Sequence, residues 1–162
     1  MPVTWAALEA AAPELARLGR ARIEATRVAL LGTLREDGSP RISPIEPYFG
    51  AGHVLLGVMA RSLKARDLLR DPRCVLHSAV TDPDAAEGEL KLYGRATEVE
   101  ERALRESCPG AWWLGRPAED ALVVSLAIEQ AAFVGWDLER SLMTVLRWSP
   151  ERGPTEETRP YP

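Results

Sequence analysis

The spacing of apolar residues divides the chain into a helical start, a strand-rich body and a polar end. Thr4 stands as an N-cap before Trp5, Ala6, Ala7 and Leu8, and Pro13 suits the first turn of a following helix carrying Leu15, Leu18 and Ile23. A helical N-terminal arm over residues 4–25 is expected. Residues 27–36 are apolar and partly β-branched and end at Asp37-Gly38, a pair that favours a tight hairpin turn. A second strand over 41–49 follows, with Ile42 and Ile45 among polar residues. Pro44 and Pro47 cannot donate ladder hydrogen bonds, so this strand lies at an edge or is interrupted. Gly50-Ala51-Gly52 turns the chain into a third strand over 53–59.

The period then becomes helical: Leu63, Leu68 and Leu69 sit among Lys64, Arg66, Asp67 and Arg70, and Asp71-Pro72 stops the helix. Strand signals resume over 73–80, pause in an acidic loop at 81–88 and return over 89–99. Residues 100–107 predict a short helix, broken by Pro109-Gly110 before Trp112-Trp113. The last strands are expected over 123–136 and 142–148, although 127–132 also fits a helical turn. After Pro150 the chain is polar and Pro-rich, and residues 151–162 are expected to be a flexible tail. These signals predict a mainly β fold in residues 1–150: a six- to seven-stranded antiparallel barrel or sandwich with helical insertions. The first three strands leave no room for the crossover helices of a parallel sheet.

Composition narrows the function. At 162 residues and 46% hydrophobic content the chain suits one core, and no internal repeat or linker divides it. The net charge of −4 opposes a nucleic-acid-binding surface. No apolar run approaches the roughly 18 residues of a membrane span, and no basic-then-apolar leader pattern opens the chain, so a cytoplasmic protein is expected. Cys74 and Cys108 are isolated and read as reduced thiols, with no metal site implied. His53 and His77 are the only histidines, so any enzymatic chemistry is expected to come from a cofactor.

Residues 59–69, where a strand gives way to a helix, carry the clearest chemical signal. Ser62 is a natural N-cap, and Arg61, Lys64 and Arg66 surround a helix start whose unpaired N–H groups are already electropositive. A phosphate accepting bonds from Ser62, the backbone and Lys64 relieves that mismatch. A solvated basic helix face explains the same spacing equally well. The spacing alone leaves both open.

Four stretches in order break the tie. Leu-Gly-Thr-Leu-Arg-Glu-Asp-Gly-Ser-Pro-Arg-Ile-Ser-Pro at 31–44, His-Val-Leu-Leu-Gly-Val-Met at 53–59, the Ser-x-Lys-Ala to Asp-Pro-Arg-Cys-Val-Leu run within 61–76, and Leu-Tyr-Gly-Arg-Ala at 92–96 together resemble the pyridoxamine 5′-phosphate oxidase-like, FMN-binding split-barrel family. The match spans roughly 27–100, with Cys74 where a branched apolar residue is usual. The resemblance implies a split β-barrel that binds FMN through its phosphate at Arg61, Ser62 and Lys64. It places the ring along Arg41, Ile42, Ser43, Pro44 and Ile45 and along Val58 and Met59. It also implies a homodimer sharing the site between subunits, and Trp112, Trp113 and Trp136 are candidates for the partner's contribution, against a reading as ordinary packing.

The departures bear on activity. Leu63 stands where the true oxidases carry a second phosphate-binding arginine, and no C-terminal Arg- and His-containing substrate motif is present, which argues against vitamin B6 oxidation itself. Relatives that use a deazaflavin coenzyme make that an alternative cofactor. The resulting expectation is a flavin-dependent oxidoreductase acting on a small organic substrate, with a non-enzymatic carrier as the rival. His77 reads as a structural histidine or a proton donor, His53 as a surface position, and Glu87 and Glu89 as partners for basic groups.

Overall fold

Thr4 caps α1 (Trp5–Ala11), its Oγ1 accepting the Ala7 N–H at 3.4 Å. Pro13 opens α2 (Pro13–Thr26), where its missing N–H costs nothing, and Arg27 ends the helix in the left-handed region at φ 59°. Leu15, Ala16, Gly19 and Ile23 form the buried face of α2, and Gly19 leaves room for the Leu90 side chain. The computed structural model describes residues 1–82 and 84–161; position 83 of the acidic loop and position 162 of the polar end lie outside them.

The body consists of β1 (Ala29–Leu34), β2 (Pro40–Ile45), β3 (Pro47–Gly50), β4 (His53–Met59), α3 (Leu63–Arg70), β5 (Arg73–Ser78), β6 (Glu89–Glu98), α4 (Arg102–Arg105), β7 (Ala121–Asp137), β8 (Leu142–Ser149) and β9 (Gly153–Pro160). Every named pairing is antiparallel. The strand order is β2-β1-β5-β6-β7-β4-β3, with β8 on β7 and β9 on β8. β2 and β3 stand at opposite ends of that order, yet only Glu46 separates them in sequence. The sheet therefore curls until its ends meet. It is closed there by the covalent chain and left open between β2 and β4, because among the described residues β2 pairs with β1 alone. This is a split β-barrel.

The single strand expected over 41–49 is thus two, parting at Glu46 to serve opposite ends of the sheet. Pro44 and Pro47 flank the parting, where a missing N–H is tolerated. The 127–132 stretch is strand throughout, since β7 runs 17 residues and pairs with β4 in its first half and β8 in its second. Gly94 meets it at a register shift, where a Cβ would strike the Ala127 carbonyl. The end expected to be a flexible tail carries β9 instead, in register with β8 from Ser149↔Gly153 to Leu142↔Pro160. These two differences bring the strand number among the described residues to nine rather than six or seven.

The main core fills the barrel and the underside of the N-terminal arm, with Trp5, Leu8, Leu31, Leu56, Leu76, Leu92 and Leu126 among its members. A second, smaller core lies beneath the 100–120 segment and joins Leu55, Cys108, Trp113 and Val123. Its role is to seat that segment against the outer face of β4.

Candidate functional site

β4 ends at Met59, and the backbone N–H of Ser62 donates back to the Met59 carbonyl (2.9 Å), turning the chain into α3. The Ser62 Oγ accepts the Ala65 N–H (3.2 Å), as an N-cap should. The N–H groups of Leu63 and Lys64 have no protein acceptor among the described residues. No acidic residue occupies the first turn.

That entrance opens into a cavity of about 790 Å³ in the split of the barrel, within the range of cofactor sites, about 300–1,000 Å³. Pro44 and Ile45 form one wall, Gly57 and Met59 the other, and Arg61 and Lys64 stand at the α3 end. Lys64 crosses the split, its Nζ donating to the Pro44 carbonyl at 2.7 Å. Burial pushes the Lys64 ammonium below its ordinary value, so the site holds a cation short of solvation. Among the described residues neither Arg61 nor Lys64 is in an ion pair, although Glu46, Glu119 and Asp120 line the same cavity.

The far wall comes from a segment that the sequence left unassigned. Met59 pairs with Ala121 in the β4–β7 ladder, which brings residues just before β7 beside those just after β4. The Ala60 N–H donates to the Asp120 carbonyl at 3.2 Å. Trp112, Arg116, Glu119 and Asp120 thereby line the same cavity. Arg116 donates from Nε to the Trp112 carbonyl (3.0 Å), and its guanidinium lies 5.7 Å from the Trp112 ring centroid. Gly57 makes this possible, because a Cβ there would collide with the rings of Trp113 and Trp112.

Of the ten expected site residues, Pro44, Ile45, Met59, Arg61 and Lys64 line this cavity, while Ser62 caps the helix beside it. Val58 points into the main core, Ile42 is 71% exposed on the outer face, and Ser43 is half-buried. Arg41 turns to the other flank of α3, where its Nε donates to Asp67 Oδ2 at 2.6 Å. Of the three tryptophans, Trp112 meets the cavity of its own chain, Trp113 is buried in the second core with Nε1 on the Arg105 carbonyl (3.0 Å), and Trp136 lies away in β7. Arg116, Glu119 and Asp120 were not foreseen. Their only signal is the strand pairing that carries them there.

The remaining polar residues have structural partners. His77 meets the Ser78 carbonyl through Nδ1 (2.7 Å) and Glu89 through Nε2 (3.4 Å). His53 is half-buried rather than on the surface, with Nδ1 at 2.8 Å from Ser125 Oγ. Glu87 binds Arg22 at 3.0 Å. Burial pushes the Cys74 thiol up to about 12 and raises that of Cys108, so neither is poised as a nucleophile. No cluster of His, Cys, Asp and Glu fit for a metal ion, and no helix long and apolar enough to cross a membrane, occurs among the described residues.

A sheet curled around a split, with a cavity at the split lined by Arg61, Lys64 and Arg116 and by Glu46, Glu119 and Asp120, defines a split barrel. The family model for pyridoxamine 5'-phosphate oxidase matches residues 17–135, and the chain belongs to that family. Solved structures share the fold. A pyridoxamine 5'-phosphate oxidase-related, FMN binding protein from Nostoc punctiforme is similar at 12% identity and a TM-score of 0.61, over 95% of this chain and 97% of that one. PhzG from Burkholderia lata, in complex with tetrahydrophenazine-1-carboxylic acid, is similar at 15% identity and 0.62, over 88% of each. A heme binding protein from Mycobacterium smegmatis is similar at 18% identity and 0.59, over 89% and 88%. No curated protein sequence matches the chain.

Proposed function

We propose that the protein is a flavin-dependent oxidoreductase that binds FMN in the split of the barrel, as a homodimer, with a deazaflavin coenzyme as the alternative cofactor. The observation that carries this reading is the entrance of α3, with no acidic residue in its first turn and with Arg61 and Lys64 outside any ion pair among the described residues, opening into a cofactor-sized cavity. When bound, the flavin ring supplies hydride or electron transfer to a small organic substrate. Lys64 and Arg61 neutralise the phosphate, and the N–H groups of Leu63 and Lys64 donate to it. Ser62 keeps its hydroxyl hydrogen for the same acceptor while its oxygen caps the helix. Pro44, Ile45 and Met59 offer flat apolar walls to the ring, and Trp112 closes the cavity on the opposite side. The PhzG neighbour's carboxylated ring ligand fits a substrate of that general kind.

Titration of the protein with FMN and with a deazaflavin coenzyme, followed by fluorescence, tests the reading. Lys64→Ala is expected to weaken binding by about 1.5–3 kcal/mol through loss of a charge-assisted bond, and Ser62→Ala also weakens it. Unchanged affinity in both variants places the phosphate elsewhere. Reduction of the bound cofactor by NADPH followed by turnover with an acceptor identifies an enzyme, and tight binding without turnover identifies a carrier.

A further inference from the structure

We propose that Asp67 is the positioning residue of the anion site: it grips Arg41 through Nε from within α3 and so aims the free end of the guanidinium at the ligand's phosphate. The proposal rests on the phosphate-binding reading above.

Asp67 is 3% exposed, and carboxylates are almost never fully buried unless paired. Three donors converge on it. Thr33 Oγ1 donates to Oδ2 at 2.9 Å, Arg41 Nε to the same oxygen at 2.6 Å, and Arg70 Nη2 reaches Oδ1 at 3.5 Å. Burial pushes its carboxyl up, and the bonds from Arg41 and Thr33 more than offset that, holding it below its ordinary value. Removing two charges from water at a helix–strand contact gains little over an apolar pair of the same shape. What the pair does supply is geometry, because it joins α3 to β1 and β2 through one carboxylate.

The geometry has a direction. With Nε committed, the two terminal nitrogens of Arg41 donate to no protein acceptor among the described residues. Arg41 lines a second cavity, of about 480 Å³, together with Leu63 and Arg66 from the first turn of α3. This cavity reaches the first turn of α3 through Leu63 and Arg66, whereas Lys64 lines the cavity in the split. The carboxylates facing it are largely spoken for: Asp67 by Arg41, and Asp37 by the Ser39 N–H and hydroxyl at 2.9 and 2.6 Å, leaving Glu36. A guanidinium fixed at Nε presents its other edge as a two-pronged donor, which suits a phosphate. Asp67 thus acts on the ligand only through Arg41.

Riboflavin lacks the phosphate of FMN, so the ratio of the two affinities isolates the phosphate contribution. Asp67→Asn is expected to cut the preference of the protein for FMN over riboflavin about tenfold, the equivalent of one charge-assisted bond, while leaving riboflavin affinity unchanged. Combining Asp67→Asn with Arg41→Gln is expected to reduce the preference no further than Arg41→Gln alone, because the two residues act as one unit. Thr33→Val, which removes only the hydroxyl bond to the same oxygen, supplies a milder variant if Asp67→Asn does not fold, and a smaller loss of preference is expected. The proposal is overturned if Asp67→Asn and Thr33→Val keep the full preference, or if FMN and riboflavin weaken in parallel, which marks a structural role. A wild-type protein that binds both flavins equally overturns the phosphate-binding reading itself, a result distinct from either.

Discussion

Asp67 and Lys64 show how single residues here are tuned by what surrounds them. Asp67 is buried but bonded, so its folded-state value lies below the 3.8 of a free aspartate. A carboxylate depressed on folding contributes its stability in full above the unfolded value and loses it as the pH falls through the folded one. Stability is therefore expected to hold from neutral pH down to about 4 and to fall below that, as Asp67 and the similarly depressed Asp37 and Glu87 take up protons. Thermal melts across pH 7 to 2 check this. Asp67→Asn, with no proton to take up at this position, is expected to melt lower at neutral pH but to lose less on acidification. A slope equal to that of the wild type assigns the acid sensitivity to other groups.

Elements decide where those residues meet, and here the sequence is readable only in part. The hairpin at Asp37-Gly38, the cap at Ser62 and the helix stop at Asp71-Pro72 are local chemistry, and each is found in place. β9 escaped notice because its residues are almost all exposed and polar. It is held by its ladder with β8 and by cross-strand pairs such as Thr144–Thr158 at 3.0 Å and Arg147–Glu157 at 3.1 Å, none of which leaves a hydrophobic alternation. The placing of Trp112 and Arg116 in the cavity of their own chain was not legible for another reason: more than forty positions separate them from α3, and the β4–β7 ladder that ends at Met59↔Ala121 brings the two together. Gly57 is the pivot of that arrangement. Trp113 is 2% exposed and tied to the Arg105 carbonyl, so it cannot retreat from a new methyl group. Gly57→Ala is expected to cost about 1–3 kcal/mol by overpacking and to weaken FMN binding by displacing Trp112. Gly135→Ala, whose Cβ finds nothing nearer than 3.6 Å, is the control and is expected to stay within about 0.5 kcal/mol. Equal melting temperatures for both variants would refute the close approach at Gly57.

At the scale of the whole molecule, the barrel leaves an apolar surface beside the split. Leu30 pairs with Pro44 and Gly32 with Ile42 across the β1–β2 ladder, so Leu30, Ile42 and Pro44 share one outward face. Val28, Pro44 and Met59 continue it to the cavity mouth. Ile42 is 71% and Met59 64% exposed, and monomeric soluble proteins rarely leave contiguous apolar surface of this kind uncovered. If the proposed homodimer forms through this face, the same contact brings the partner chain to the mouth of the cavity. Two consequences are linked by that geometry. Sedimentation is expected to give twice the 17.8 kDa chain mass, and Ile42→Glu, which buries a charge against an apolar partner surface, is expected to give the single mass. Because Ile42 does not line the cavity of its own chain, any loss of FMN affinity in that variant reports the partner's share of the site. A dimer that dissociates while binding FMN unchanged would show a site complete within one chain, and a wild-type monomer would leave the apolar face to some other occupant.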